Sequence, residues 1–268
     1  MVLNKNGKGS TEGKVGSTGH RLETRFQPIF SVLECDLAGH EALVRPVDTS
    51  GKPVRPMDFL SALANGDLTR MDRCLRRKHL ARFTALDEGD GMLCLNVHPI
   101  AAKGDEGAAE DLLEALGERG FPASRLCLEV LEDDATDHET LSLAIRTWRG
   151  LGFKVAMDDF GVRHSSTDRV TQFGVDFVKL DRSLLSGVAR GEQPLSRLSA
   201  MIRRLQDAGM AVIIEGVEEA IEAYYAIEAG ADFLQGYFLG APLDGLGVDP
   251  VVGKLVCEMK RRSLGLPR

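Results

Sequence analysis

The feature that most constrains the fold of this chain is an alternation of short apolar runs with longer amphipathic segments from Arg21 onward. The apolar runs are TRFQPIF, HEALVR, MLCLNV, RLCLEV, FKVAMD, DFVKLD, AVIIEG and DFLQGY. Segments with helical periodicity, such as MDRCLRRKHLARFTAL and LSRLSAMIRRLQDAG, lie between most of these runs. Strands that alternate with helices predict a mostly parallel sheet, and eight such strands in 268 residues predict a (β/α)8 TIM-like barrel.

The first connection departs from this pattern, because only about ten residues separate FQPIF from HEALVR, whereas a parallel crossover needs a dozen or more. The first strand is therefore expected to run antiparallel to the second. Residues 1–20 are rich in Gly, Ser, Thr and Lys and have no apolar periodicity, which predicts a flexible tail or linker. Residues 21–268 are the predicted barrel domain.

Composition and charge exclude several classes of function. A formal net charge of −7 gives no overall basic field for duplex nucleic acid or an anionic membrane. No apolar stretch approaches the roughly 18 residues that a membrane span needs. The five cysteines show no CxxC pairing, and Cys94 and Cys127 lie inside apolar runs, where buried thiols are expected. This usage is typical of a reducing compartment and predicts a cytoplasmic protein.

Polar side chains occur in or just after the apolar runs, where a barrel brings the carboxyl ends of its strands together at one mouth. They are Glu41, Asn96, Glu129, Asp158, Asp159, Lys179, Glu215 and Gln235. Carboxylates with an amide oxygen, in a set without Cys or His, favour Mg²⁺ or Mn²⁺ over Zn²⁺. The adjacent Asp158 and Asp159 repel each other unless a cation lies between them, so the sequence predicts divalent cations at this mouth.

Eight short motifs occur together in this chain: FQPI, EALVR, LNVHP, LEVLE, DDFG, VKLD, EGVE and QGYFLGAP. In order and approximate spacing they resemble the EAL domain, a bacterial family of phosphodiesterases that hydrolyse cyclic di-GMP. The resemblance covers nearly everything after residue 21. It implies a barrel whose first strand is reversed and a mouth that holds two metal ions, Mg²⁺ or Mn²⁺.

The resemblance also implies roles for single residues. The implied metal ligands are Glu41, Asn96, Glu129, Asp158, Asp159 and Glu215. The implied catalytic residues are Glu41, Lys179 and Glu215, with Lys179 as the partner of the attacking water. The positions implied to lie near the substrate or to hold its site are Gln27, Arg45 and Gln235. On physical grounds alone, a cationic amine beside a water molecule favours the hydroxide form of that water.

One loop departs from the family, because DDFG is followed by Val162, Arg163 and His164 where the family has Thr or Ala, Gly and Tyr. Glycine adopts backbone angles that are costly for arginine, so Arg163 is expected to change the shape of the loop. A reduced activity is one expected consequence. Glu132 matches the glutamate that the family ties to this loop. Because the ligand set is complete, we expect a phosphodiesterase that yields linear pGpG. The alternative is a non-hydrolysing cyclic di-GMP receptor or protein-interaction module of the same fold, and a homodimer is open in either case.

Overall fold

The structure is a computed structural model that describes residues 19–98, 107–131, 138–161 and 167–265. Eight strands in these residues form one closed barrel in which neighbours in the chain are also neighbours in the sheet. The strands are β1 (Arg21–Ser31), β2 (Asp36–Val47), β3 (Met92–Val97), β4 (Leu126–Leu131), β5 (Lys154–Phe160), β6 (Phe177–Leu180), β7 (Ala211–Ile214) and β8 (Phe233–Gln235).

Helices lie outside the barrel and cover its strands. The helices of the described residues are α1 (Pro56–Ser61), α2 (Asn65–Thr84), α3 (Ala108–Gly117), α4 (His138–Gly150), α5 (Thr167–Phe173), α6 (Arg182–Ala189), α7 (Leu195–Asp207), α8 (Ala220–Ala229) and α9 (Pro250–Ser263). Helix α2 packs on β1, β2 and β3, α4 packs on β5, and α7 packs on β7. Within the described part of the chain, no helix has the length and apolar character needed to cross a membrane.

Strand β1 is antiparallel to both of its neighbours, β2 and β8. All other neighbouring strands pair in parallel. The turn after β1 is tight, because the backbone N–H of Cys35 donates to the carbonyl oxygen of Ser31 over 3.0 Å. The predicted barrel with a reversed first strand is confirmed. The reversal also places Gln27 directly opposite Glu41 in the ladder.

A small apolar cluster fills the interior of the barrel, separate from the larger core between the strands and the helices. Its buried members are Ile29, Cys94, Cys127, Ala156 and Ile213, and Phe177 and Phe233 pack against them. Both buried cysteines are fully inaccessible and free, as the sequence predicts. This layer closes the barrel beneath the residues described next.

Two expectations lie outside the described residues. They concern Glu132 and the loop 162–166, so both stay predictions. The predicted tail, residues 1–20, lies almost wholly outside as well, because the description begins at Gly19 and β1 begins at Arg21.

Candidate active site

The polar side chains of the barrel mouth point into the barrel, as the apolar layer does, and lie next to that layer along each strand. Alternate residues of a strand point to the same side of a sheet, so the residue two positions after a layer member also points inward. The positions reached in this way are Asn96, Glu129, Asp158, Lys179, Glu215 and Gln235. Because β1 runs in the opposite direction, Gln27 precedes its layer residue Ile29 by two positions. The strand pattern itself therefore gathers these groups at one end of the barrel.

The amine of Lys179 occupies the centre of this mouth and is fully buried. Its Nζ lies 2.6 Å from Oε1 of Glu215 and 3.0 Å from Oε1 of Glu129. Oε2 of Glu41 is 3.3 Å away, and Oδ1 of Asp158 is 3.6 Å away. Burial alone would lower the pKa of Lys179, but the surrounding carboxylates outweigh it and raise that pKa well above its usual value. Lys179 is therefore a cation held by four acids.

Glu41 is buried and is fixed by two side-chain amides. Nδ2 of Asn96 donates to Oε1 of Glu41 over 2.7 Å, and Nε2 of Gln235 donates to Oε2 over 2.6 Å. Burial favours the protonated form, but the charge of Lys179 and these hydrogen bonds outweigh it and lower the pKa of Glu41. Glu41 is thus an ionised carboxylate whose two oxygens both have fixed directions.

Two consecutive aspartates reach the mouth because β5 is irregular at its end. The register between β5 and β6 shifts between Met157 and Phe160, and Asp159 has a left-handed backbone with φ of 56°. In a regular strand, neighbouring residues point to opposite faces, and a bulge re-aims one of them. As a result, carboxylate oxygens of Asp158, Asp159 and Glu215 lie within 4.8 Å of one another.

Burial and like charge raise the pKa of several of these acids. Burial is the main cause for Glu129 and Glu215, whose pKa values are raised well above the usual range. The pKa of Asp159 is also raised, by burial and by the charges of Asp158 and Asp181. Such acids become stable as carboxylates when cations lie between them.

The donor set fits divalent metal ions. Both carboxylate oxygens of Glu129 are buried and accept no hydrogen bond from the described residues, although Oε1 is in ion-pair distance of Lys179. A buried carboxylate of this kind needs a further cationic partner. The other candidate ligands are carboxylate oxygens and the amide of Asn96, which suit hard cations such as Mg²⁺ and Mn²⁺.

A cavity of about 270 Å³ opens beside these groups. Its walls include Gln27, Arg45 and Gln235, the three residues predicted to lie near the substrate or to hold its site. Nε2 of Gln235 is 3.4 Å from Oε1 of Gln27, and Nε2 of Gln27 donates to the carbonyl oxygen of Gly240 over 3.3 Å. Apart from Glu132, the structure therefore brings every predicted site residue to one mouth. Their chemical roles stay predictions.

Among the residues of the cavity wall that the sequence interpretation missed are Asp181 and Arg182. Asp181 follows Lys179 by two positions in the VKLD motif, and that motif is the signal that could have identified it. Arg182 pairs with Glu218 over 2.5 Å and with Glu222 over 3.5 Å. Through these contacts, Arg182 ties the segment after β6 to the segment that follows Glu215.

Comparison with known proteins gives a consistent result. The model of the EAL domain family matches residues 15–242. The cyclic di-GMP phosphodiesterase NbdA of Pseudomonas aeruginosa is 29% identical over 234 residues, which are 83% of this chain and 29% of NbdA. The chain therefore spans less than a third of the length of that curated relative.

Solved structures share the fold. A standalone EAL protein from Vibrio cholerae, in its c-di-GMP bound form, has 25% identity and a TM-score of 0.78, and the match covers 86% of this chain and 97% of that protein. The Bacillus subtilis YkuI protein, in complex with c-di-GMP and calcium, has 23% identity and a TM-score of 0.80, over 91% of this chain and 61% of YkuI. Because the family model matches well over half of its residues, this chain belongs to the EAL domain family.

Proposed function

We propose that this chain is a metal-dependent phosphodiesterase that hydrolyses cyclic di-GMP to linear pGpG. The observation that carries the proposal is the buried Lys179 amine, which is held by four carboxylates. Two of them, Glu41 and Glu215, line the cavity. Two relatives support the substrate, because NbdA is named a cyclic di-GMP phosphodiesterase and the Vibrio cholerae protein is in its c-di-GMP bound form.

The proposal includes two divalent cations, Mg²⁺ or Mn²⁺. The residues that would hold them are Glu41, Asn96, Glu129, Asp158, Asp159 and Glu215. When bound, such ions polarise the phosphate and lower the pKa of a water molecule. Two observations support this assignment: the oxygens of Glu129 accept no hydrogen bond from the described residues, and Asp158, Asp159 and Glu215 approach one another closely.

The residues of the chain orient the reaction. The ammonium group of Lys179 donates a hydrogen bond to the attacking water and favours its deprotonation. Glu215 lies 2.6 Å from that amine and, in its ionised form, is placed to accept the proton of the water. Gln27 and Arg45 bind phosphate oxygens from the cavity wall. The oxygen of water forms a bond to phosphorus, the bond from phosphorus to the 3′ oxygen breaks, and the 3′ oxygen takes a proton from solvent to become a hydroxyl group.

The alternative is a cyclic di-GMP receptor that does not hydrolyse its ligand. Only the departure at Val162, Arg163 and His164 favours it. The retained acidic donors favour the enzyme, because a receptor needs no metal ligands. The two functions differ in whether the diester bond is cut.

The deciding experiment incubates the chain with cyclic di-GMP and Mn²⁺, and separates the products by chromatography. We expect linear pGpG with Mn²⁺ or Mg²⁺ and none in EDTA. Calorimetry in Ca²⁺, a poorer activator of water, measures binding without turnover. Tight binding without product in any metal would favour the receptor, and absence of both binding and product would contradict both functions.

Three accompanying proposals concern the cellular location of the domain, its N-terminal segment and its oligomeric state. We propose a cytoplasmic location, supported by the five cysteines, all of which are free thiols in the structure. We also propose that residues 1–20 act as a linker and that the domain forms a homodimer. Limited proteolysis would test the linker, and light scattering would test the dimer.

A further inference from the structure

Helix α2 carries a buried ion pair on the side that faces the barrel. Asp72 and Arg76 form this pair one helical turn apart, and only 9% and 5% of their surfaces are exposed. Their surroundings include the apolar side chains Leu68, Leu75 and Val97. Removing two charges from water is costly, so a buried pair of this kind contributes little to stability by itself.

The ion pair has a backbone contact at the end of β3. Oδ1 of Asp72 accepts a hydrogen bond from the backbone N–H of His98 over 3.1 Å. His98 immediately follows Val97, the last residue of β3 and the last to pair with β4. Asp72 therefore receives a backbone donor at the point where the ladder of the sheet ends, and Arg76 supplies the opposite charge.

The end of β3 carries a residue of the candidate active site. Asn96 lies two positions before His98, and its amide Nδ2 donates to Glu41 over 2.7 Å. The cavity of about 300 Å³ that Asp72 and Arg76 line also contacts Asn96 and Glu41. A shift of the strand end would therefore move the Asn96 amide relative to Glu41.

We propose that Asp72 is a positioning residue, which fixes the end of β3 through the His98 N–H and thereby holds Asn96 against Glu41. This inference rests on the proposed metal-dependent function. Groups that orient metal ligands from outside the coordination sphere typically contribute 10- to 100-fold to metal affinity or activity. Asp72 acts on the metal site only through the backbone that it holds.

The opposite end of β3 offers a matched control. Asp87 pairs with Arg125 over 2.5 Å, and Nε of Arg125 donates to the carbonyl oxygen of Gly91 over 3.0 Å. Gly91 immediately precedes β3, and the side chains of Asp87 and Arg125 are 12% and 19% exposed. This pair therefore holds the same strand at the end away from the mouth. We expect Asp87→Ala to lower stability without changing the position of Asn96.

The test measures Mn²⁺ affinity by calorimetry, exchange of the His98 amide proton by NMR, and thermal unfolding. For Asp72→Ala we expect about tenfold weaker Mn²⁺ binding and faster exchange of the His98 amide. For Asp72→Asn, which keeps an acceptor oxygen, we expect an affinity within about threefold of the parent. Asp87→Ala should unfold at a lower temperature and bind Mn²⁺ as the parent does.

A double variant keeps the inference testable if Asp72→Ala does not fold. Asp72→Leu with Arg76→Met removes both charges, and apolar replacement of a buried pair is often neutral or stabilising. We expect this variant to unfold no earlier than the parent and still to bind Mn²⁺ more weakly.

Two results would overturn the inference. One is an unchanged Mn²⁺ affinity in both Asp72→Ala and the double variant, and the other is a parent protein that does not bind Mn²⁺. A parent that binds Mn²⁺ without hydrolysing cyclic di-GMP would contradict the proposed function alone. In that case, the Mn²⁺ affinities and the His98 exchange rate still decide the role of Asp72.

Discussion

Lys179 on β6 and Glu215, directly after β7, bring their charged atoms to within 2.6 Å of each other at the barrel mouth. Lys179 is fully buried, whereas the side chain of Glu215 is 19% exposed towards the cavity. The pair therefore joins the inaccessible centre of the acidic cluster to the space that a substrate would enter.

The first prediction concerns the charge of Lys179. Lys179→Met should reduce hydrolysis by about a thousandfold, because the attacking water loses its hydrogen-bond donor. It should also destabilise the metal-free protein by about 3–5 kcal/mol, because the buried carboxylates lose their cation. Urea unfolding with and without Mn²⁺ would measure this, and Mn²⁺ should restore part of the stability.

Lys154→Met is the control for this variant. Lys154 pairs with Asp176 over 3.1 Å and is 45% exposed, so its loss should cost under about 1 kcal/mol. Equal effects of the two substitutions on stability would contradict the view that Lys179 balances buried charge.

The second prediction separates the charge of Asp159 from its backbone conformation. Asn tolerates the left-handed region that Asp159 occupies, whereas Ala is strained there by roughly 1 kcal/mol. Asp159→Asn should therefore keep the stability of the parent but bind Mn²⁺ more weakly. Asp159→Ala should be less stable than the parent and should also bind Mn²⁺ more weakly. If Mn²⁺ titrations of Asp159→Asn matched the parent, Asp159 would not be a metal ligand.

The third prediction concerns the close approach of two backbone segments beside Gln235. A Cβ atom on Gly236 would lie 2.2 Å from both the N and the O atoms of Val217, so the segments after β7 and β8 would have to separate. Gly236→Ala should lower stability by more than about 3 kcal/mol and abolish activity. Gly245→Ala, which meets no atom within 4 Å, should be nearly neutral in the same thermal unfolding assay.

The fourth prediction is a loss of stability in mild acid through His79. This side chain is buried, and its Nδ1 lies 2.8 Å from Oγ1 of Thr24. Burial, helped by the charge of Lys78 and opposed by that of Glu41, lowers the pKa of His79 to about 3. Below pH 6.5 the unfolded state therefore binds a proton that the folded state does not, so this contribution to stability falls as pH falls.

His79→Gln is the corresponding variant, because glutamine does not titrate in this range. Between pH 6.5 and pH 5, His79 should cost the parent about 1.6 kcal/mol of unfolding free energy, because the full slope of about 1.36 kcal/mol per pH unit is reached only below pH 6.5. Denaturant unfolding at both pH values would show a smaller difference for His79→Gln. If the unfolding free energies of parent and variant changed with pH in the same way, the pKa of His79 would not be lowered in the folded protein.

The fifth prediction follows from the departure of the DDFG loop. The triple change Val162→Thr, Arg163→Gly and His164→Tyr restores the family sequence and should raise turnover, because errors of about 1 Å at a catalytic site can cost about a hundredfold in rate. Steady-state kinetics at several Mn²⁺ concentrations would measure this. Turnover equal to that of the parent would show that this loop does not limit the reaction.

Much of the fold was predictable because its determinants are local in the sequence. The alternation of apolar runs and amphipathic segments indicates the strands and helices, and the short connection before His40 requires a reversed β1. Asn96, Glu129 and Glu215 could also be predicted as residues of the barrel mouth. Each lies two positions after an apolar residue of the barrel interior, which is the period of a strand. That local pattern predicts an acidic mouth without any knowledge of contacts.

The tertiary structure alone decided how these groups meet. The register shift at the end of β5, which turns both Asp158 and Asp159 to the mouth, depends on pairing with β6. The bond from Asp72 to the His98 N–H joins a helix to a strand end 26 positions away. The sequence by itself determined that Asn96, Glu129 and Glu215 face the mouth, because their positions follow the two-residue period of a strand. Distances between strands and helices depend on register and packing across the barrel, which no local pattern encodes.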